Sequence, residues 1–136
     1  MTHPDAPAHS GALEGALPLL VVALGGATGA LLRWGLGEAV DPGTALPWVT
    51  FAINVAGCLA LAAMTGVGAI RRSPVRTLFL GPGVLGGFTT VSSWAEETRS
   101  LAADGDVALA GLYLTGTLAA CLAAAAAGRR LARTPR

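Results

Sequence analysis

Residues 86–94 read GGFTTVSSW, in the middle of a long apolar stretch, and the reading of this segment decides the fold. A helix crossing a bilayer has no water to satisfy its backbone. Two glycines followed by the hydroxyl side chains of Thr89, Thr90, Ser92 and Ser93 therefore need a reason. One reading is a kinked helix packed closely on a neighbour. The other, which the physics favours, is a segment that leaves helical geometry and turns its freed carbonyls inward. Such carbonyls are hard oxygen ligands suited to an alkali cation, and half-helix ends commonly hold ions.

The rest of the chain places this segment in a membrane. Of 136 residues, 53% are hydrophobic and 12% charged, about half the ~25% usual for soluble domains. Every basic residue is an arginine, and the net charge of +1 argues against nucleic acid as a partner. Residues 1–16 are polar and mixed and are expected to form a mobile tail, without the basic n-region of a signal peptide. Residues 17–128 hold four apolar segments, each near the ~20 residues that a helix needs to cross a bilayer. They run from about Leu17 to Leu36, Pro47 to Ile70, Val75 to Leu101 and Val107 to Ala127. The connections GEAVDPGTAL, RRSP and AADGD carry Gly, Pro or charge, as turns do. The expected fold is an all-α integral membrane protein of four transmembrane helices with the third broken.

Charge sorts by side. Arg71, Arg72 and Arg76 lie between spans two and three, and Arg129, Arg130, Arg133 and Arg136 make 129–136 a basic tail. Glu38, Asp41, Asp104 and Asp106 occupy the opposite connections. By the positive-inside rule both termini are cytoplasmic, in the cell membrane.

Little catalytic chemistry can be assembled. His3 and His9 fall in the tail, and within the spans the ionisable groups are Arg33, Glu96, Glu97 and Arg99. Nothing here supplies a proton relay, a catalytic triad, paired acids or a metal cluster, so no enzyme is expected. Cys58 and Cys121 lack ligand spacing and read as packing residues. Residues 81–86, GPGVLG, match G-x-G-x-x-G, yet both flanks are membrane-length apolar segments rather than a βαβ unit.

Three further polar features draw the eye. Gly25 and Gly29 in GGATG suit close helix packing. Asn54, deep in span two, is either interhelical glue or a pore-lining donor whose NH2 offers two hydrogens to an anion. Tyr113, Thr117 and Cys121 form one stripe on span four. Neutral donors with little fixed charge beyond Arg33 suit a small, strongly hydrated anion.

GGATGALLRW (25–34), PWVTFAINVAG (47–57) and GGFTTVSSW (86–94) resemble, in order and spacing, the three signature motifs of the Fluc/CrcB fluoride channel family. The resemblance covers all four spans. It implies an antiparallel dimer with two fluoride pathways and a structural, untransported sodium ion at the interface. Backbone carbonyls of the broken third helix, those of Gly86 and Thr89 here, would hold the sodium. Asn54, Ser92, Tyr113 and Thr117 match pathway positions, and Arg33 the arginine thought to draw anions into the vestibule. The family's two stacked phenylalanines fall on Val91 and Trp94. Trp94 offers an aromatic edge or an indole N–H, but valine has no ring.

The arginine bias bears on the dimer as well. Equal insertion in both orientations needs little asymmetry, whereas only Arg99 lies near the outer side. The expectation is one-way insertion and pairing with an oppositely oriented homologue, with self-pairing as the other possibility. A fluoride-exporting channel subunit leads, ahead of a non-conducting orientation partner. A small multidrug transporter comes last, because its chemistry wants a carboxylate within span one and Glu14 precedes it.

Overall fold

The computed structural model describes residues 10–40 and 46–133, and the described residues form helices and turns without a strand. Helix α1 spans Ser10–Ala39 and α2 spans Trp48–Ala63, running on into a 3-10 turn at Met64–Gly66. Short helices α3 (Gly68–Arg71) and α4 (Pro74–Leu78) lead into a π-helical segment, Phe79–Leu85. Then come α5 (Gly86–Phe88), α6 (Val91–Ala103) and α7 (Val107–Arg133). Most of the expected tail, residues 1–9, lies outside the described residues, as do Asp41 and Arg136.

Three stretches are long and apolar enough to cross a membrane: Gly15–Ala39, Trp48–Gly66 and Val107–Arg133. The expected third span is instead a chain of shorter pieces, α4 through α6. The second stretch also stops short of Ile70. Its backbone turns extended at Val67 (φ −86, ψ 103) between two glycines, and Gly66 lies so close to α7 that a Cβ there would meet the Ala132 Cα at 2.5 Å. The GPGVLG stretch sits in the π-helical segment and at the start of α5, with no strand before it.

Pro82 explains why that segment is wide. Proline has no N–H to give to the carbonyl four residues back, and its ring crowds that carbonyl. The helix relaxes into the wider π turn, and Gly86 bonds the Gly81 carbonyl five residues behind it.

Helix α7 carries both α2 and α6, while α1 packs on the π-helical segment and α5. The α1 contact is backbone against backbone. A methyl at Gly25 would run into the Phe79 carbonyl, one at Gly29 into the Val84 carbonyl, and one at Gly87 into the Gly26 carbonyl. The expected packing role of Gly25 and Gly29 holds. The Asp104–Asp106 turn folds α7 back against α6, with Gly105 at φ 94 and the Asp106 amide closing on the Leu101 carbonyl.

The core is thin. Ile53, Ala110 and Tyr113 are buried, while leucines such as Leu19, Leu24 and Leu31 on α1 and Leu112 and Leu122 on α7 are exposed. An outward apolar surface suits lipid or a second subunit far better than water.

Candidate functional site

The helical backbone is interrupted between α5 and α6. Thr89 (φ −76, ψ 154) and Thr90 (φ −146, ψ 119) are extended. Asn54 grips the gap from α2: its Nδ2 donates to the Thr90 carbonyl at 2.9 Å, and its Oδ1 accepts from the Thr90 amide at 2.8 Å. Both residues are buried. An unpaired amide there would cost about 1–3 kcal/mol, and the carboxamide satisfies donor and acceptor together.

The break disturbs the carbonyls of residues 86–89, of which that of Gly87 accepts from Arg33. In a continuous helix the Thr90 amide would bond the Gly86 carbonyl, but it is turned to Asn54. The Ser93 amide would bond the Thr89 carbonyl, but it goes to the Thr90 hydroxyl at 3.1 Å, an N-cap for α6. Val91 and Ser92 open α6, so the carbonyls of Gly87 and Phe88 lose the amides of a continuous helix as well, and the break affects residues 86–89 together. Gly86 is also an exposed glycine whose Cβ would meet nothing nearer than the Gly81 carbonyl at 3.9 Å. Hydroxyls complete the surroundings: Thr90 Oγ1 lies 3.1 Å from both the Ser92 and Ser93 hydroxyls, and the Thr89 hydroxyl donates to the Leu85 carbonyl at 3.0 Å.

Of the two roles left open for Asn54, the bonds to Thr90 show the interhelical one. One Nδ2 hydrogen is committed to Thr90 and the other remains. Arg33 is held differently from a free vestibule cation, because its Nε donates to the Gly87 carbonyl at 3.3 Å, next to the interruption. It also lines an open cavity of about 650 Å³ with Glu38, Thr50, Thr90 and Ser93.

Glu97 is the residue that sequence reasoning passed over. Its Oε1 accepts from the Thr50 hydroxyl at 2.6 Å and its Oε2 from the Tyr113 hydroxyl at 2.7 Å, joining α2, α6 and α7. Thr90, Ser93 and Glu97 at i, i+3 and i+7 formed a readable polar stripe on one helix face. Glu96 points outward and pairs through both oxygens with Arg99, at 2.8 and 2.5 Å.

The remaining expected residues divide. Thr117 is 3% exposed, and its Oγ1 is buried without a hydrogen-bond partner. The same holds for Nε1 of half-buried Trp94. Val91, in contrast, is 73% exposed, and Ser92 is exposed beside it. One face of α6 therefore carries Glu97 to Tyr113 of α7, and another turns Val91 outward. Cys58 and Cys121 are free thiols that touch between α2 and α7, in keeping with a packing role.

Comparison with known proteins agrees along nearly the whole chain. A family profile described as "CrcB-like protein, Camphor Resistance (CrcB)" matches residues 20–129. A protein of Nocardia farcinica named "Fluoride-specific ion channel FluC 2" is 41% identical over 133 residues, covering 95% of this chain and 94% of its own. "Fluoride-specific ion channel FluC" of Thermus thermophilus is 44% identical over 117 residues, covering 82% and 92%. "Fluoride-specific ion channel FluC 1" of Streptomyces coelicolor is 41% identical over 126 residues, covering 88% and 79%.

Proposed function

The chain belongs to the CrcB-like family of multi-pass membrane proteins, which are ion channels and not enzymes, and from that premise we propose that it is a subunit of a fluoride-selective channel. Fluoride leaves the cytoplasm passively through it, which lowers the internal concentration. The observation that carries this reading beyond the relatives' names is the Asn54 grip on Thr90, which holds the helical backbone open at residues 89–90.

In this reading α4 through α6 together form a third span and the chain crosses four times, with both termini cytoplasmic. Two subunits pair antiparallel across the surface that holds Gly86. The Gly86 and Thr89 carbonyls of each would hold a structural sodium ion. Hard, uncharged oxygens fit such a cation, and the ion when bound supplies fixed positive charge and ties the subunits together. Asn54 keeps the interruption in shape and retains one N–H for an anion. Arg33 steadies the Gly87 carbonyl while adding positive charge to the cavity that it shares with Thr50, Thr90 and Ser93. Thr117, Ser92 and Trp94 line the fluoride route as neutral donors, with Tyr113, whose hydroxyl proton goes to Glu97, beside them.

The test is anion efflux from sodium-containing liposomes holding the purified chain, read with fluoride and chloride electrodes. Fluoride efflux without chloride efflux is expected. Silence, with a stable dimer present, would remove the proposal.

A second reading rests on Val91 and the arginines. A valine at the first aromatic position and arginines gathered in the Arg71–Arg76 connection and beyond Gly128 favour a subunit that inserts one way and pairs with an oppositely oriented homologue. Terminal epitope tags read in intact and opened cells separate the two. Equal labelling from both sides supports self-pairing, and cytoplasmic labelling alone supports the heterodimer.

A further inference from the structure

The C-terminal ends of α2 and α7 lie side by side. A Cβ at Gly128 would meet the Leu59 carbonyl at 2.5 Å, and one at Gly66 would meet the Ala132 Cα at 2.5 Å. Helices α3 and α4 follow Gly66 directly, so this contact gathers Arg71, Arg72 and Arg76 at the same end of the bundle as Arg129, Arg130 and Arg133. All six are exposed, and among the described residues none of them meets a carboxylate. Arg76 is folded back, its Nη1 donating to the Ala69 carbonyl at 3.3 Å.

Two of these arginines stand on a particular face. At about 100° per residue, Ala123, Ala126, Arg130 and Arg133 share the side of α7 opposite Gly128, and Gly128 is the residue that packs on α2. On that outward side runs an open groove of about 560 Å³, lined by Ala123, Ala126, Ala127, Arg130 and Leu131. Alanine methyls are too short to fill it, so its floor is apolar and lies close to the helix backbone. Arg130 stands at its charged end, with Arg133 one turn further along the same face.

Shape and charge together select one kind of occupant. A soluble anion gains nothing from the apolar length of the groove, and a zwitterionic lipid brings its own cation to an end already crowded with guanidiniums. An anionic phospholipid satisfies both parts. Its acyl chain covers the alanines, and its phosphate accepts paired N–H bonds from a guanidinium. Lysine would meet the positive-inside rule equally well, yet every basic residue here is an arginine, whose planar fork matches a phosphate.

We propose that the outward face of α7 between Ala123 and Arg133 binds one anionic phospholipid, its chain in the alanine groove and its phosphate held by Arg130 and Arg133. Arg71 and Arg72 lie at the same end but do not line the groove, and they add attraction without holding the lipid. The site belongs to the membrane-spanning fold and stands or falls apart from the fluoride reading.

The experiment is native mass spectrometry of the full chain in detergent, titrated with phosphatidylglycerol or with phosphatidylcholine of the same chains. The wild type is expected to hold phosphatidylglycerol about tenfold more tightly. Arg130→Gln with Arg133→Gln should bring it down to the phosphatidylcholine level, whereas Arg71→Gln with Arg72→Gln, the same change in charge, should keep most of the preference. Ala123→Leu with Ala126→Leu fills the groove at constant charge and should weaken the lipid adduct. Equal binding of the two lipids by the wild type overturns the site. So does an equal loss in the two arginine variants, which would reduce the effect to overall charge. Displacement of phosphatidylglycerol by millimolar inorganic phosphate would show a headgroup site without a chain, and loss of the dimer rather than of lipid in the leucine variant would show a second subunit in the groove. Either result overturns the lipid assignment.

Discussion

Two helices meet the GGFTTVSSW segment in opposite ways. Helix α1 approaches it by having nothing in the way: Gly25 and Gly29 lie directly on the backbone of residues 79–88, and a methyl at Gly29 would come within 2.7 Å of the Phe88 nitrogen. Helix α2 approaches with one side chain, and the Asn54 carboxamide takes up the donor and the acceptor of Thr90. Absence of side chains holds the unbroken half of the segment, and presence of one holds the break. Packing against α1 fixes where the third segment lies, whereas Asn54 fixes the backbone at its break.

The largest effect is expected on the α1 side. Gly29→Ala forces a methyl into backbone that cannot swing aside, and overpacking of this kind costs about 3 kcal/mol or more. Detergent-extracted protein should lose its monodisperse peak and melt far lower. Gly26→Ala three residues earlier is the control, because a Cβ there meets nothing within 4 Å. Equal behaviour of the two variants would break the comparison.

Asn54→Ala comes next. It leaves the Thr90 amide and carbonyl without partners, a loss of about 2 kcal/mol or more, and fluoride efflux should fall with it. A dimer with full flux would show that the interruption stands without its clasp. Asn54→Asp sharpens the point, since a carboxylate accepts from the Thr90 amide but faces its carbonyl with a second oxygen. Its flux should be no better than that of the alanine variant.

Glu97→Gln is expected to cost less, about 1 kcal/mol in thermal stability, by weakening two charge-assisted bonds while keeping the shape. The smallest effect belongs to Glu96→Gln. Its pairing with Arg99 is exposed at 68% and 63%, so melting should hardly change.

Much of this was legible in the chain. Apolar runs of membrane length marked the long helices, Gly25 and Gly29 announced close packing, and Thr89 and Thr90 sit where the backbone leaves the helix. The π-helical segment was not read, although Pro82 between two glycines is its cause, because proline in an apolar run signals a disturbance without saying which kind. Glu97 was missed for a different reason. Its partners Thr50 and Tyr113 lie 47 and 16 residues away, and only the packing of α2 and α7 on α6 brings them to one carboxylate. Val91 could be recognised as a missing ring, but nothing local told that it would turn outward.

The most direct measurement is fluoride efflux from liposomes carrying protein first exchanged into a large organic cation, then returned to sodium. If Asn54 holds the break so that the Gly86 and Thr89 carbonyls can grip a cation, efflux falls at least about tenfold without sodium and returns with it, for a stabilisation of ~1.4 kcal/mol or more. Unchanged efflux after complete removal of sodium would contradict it.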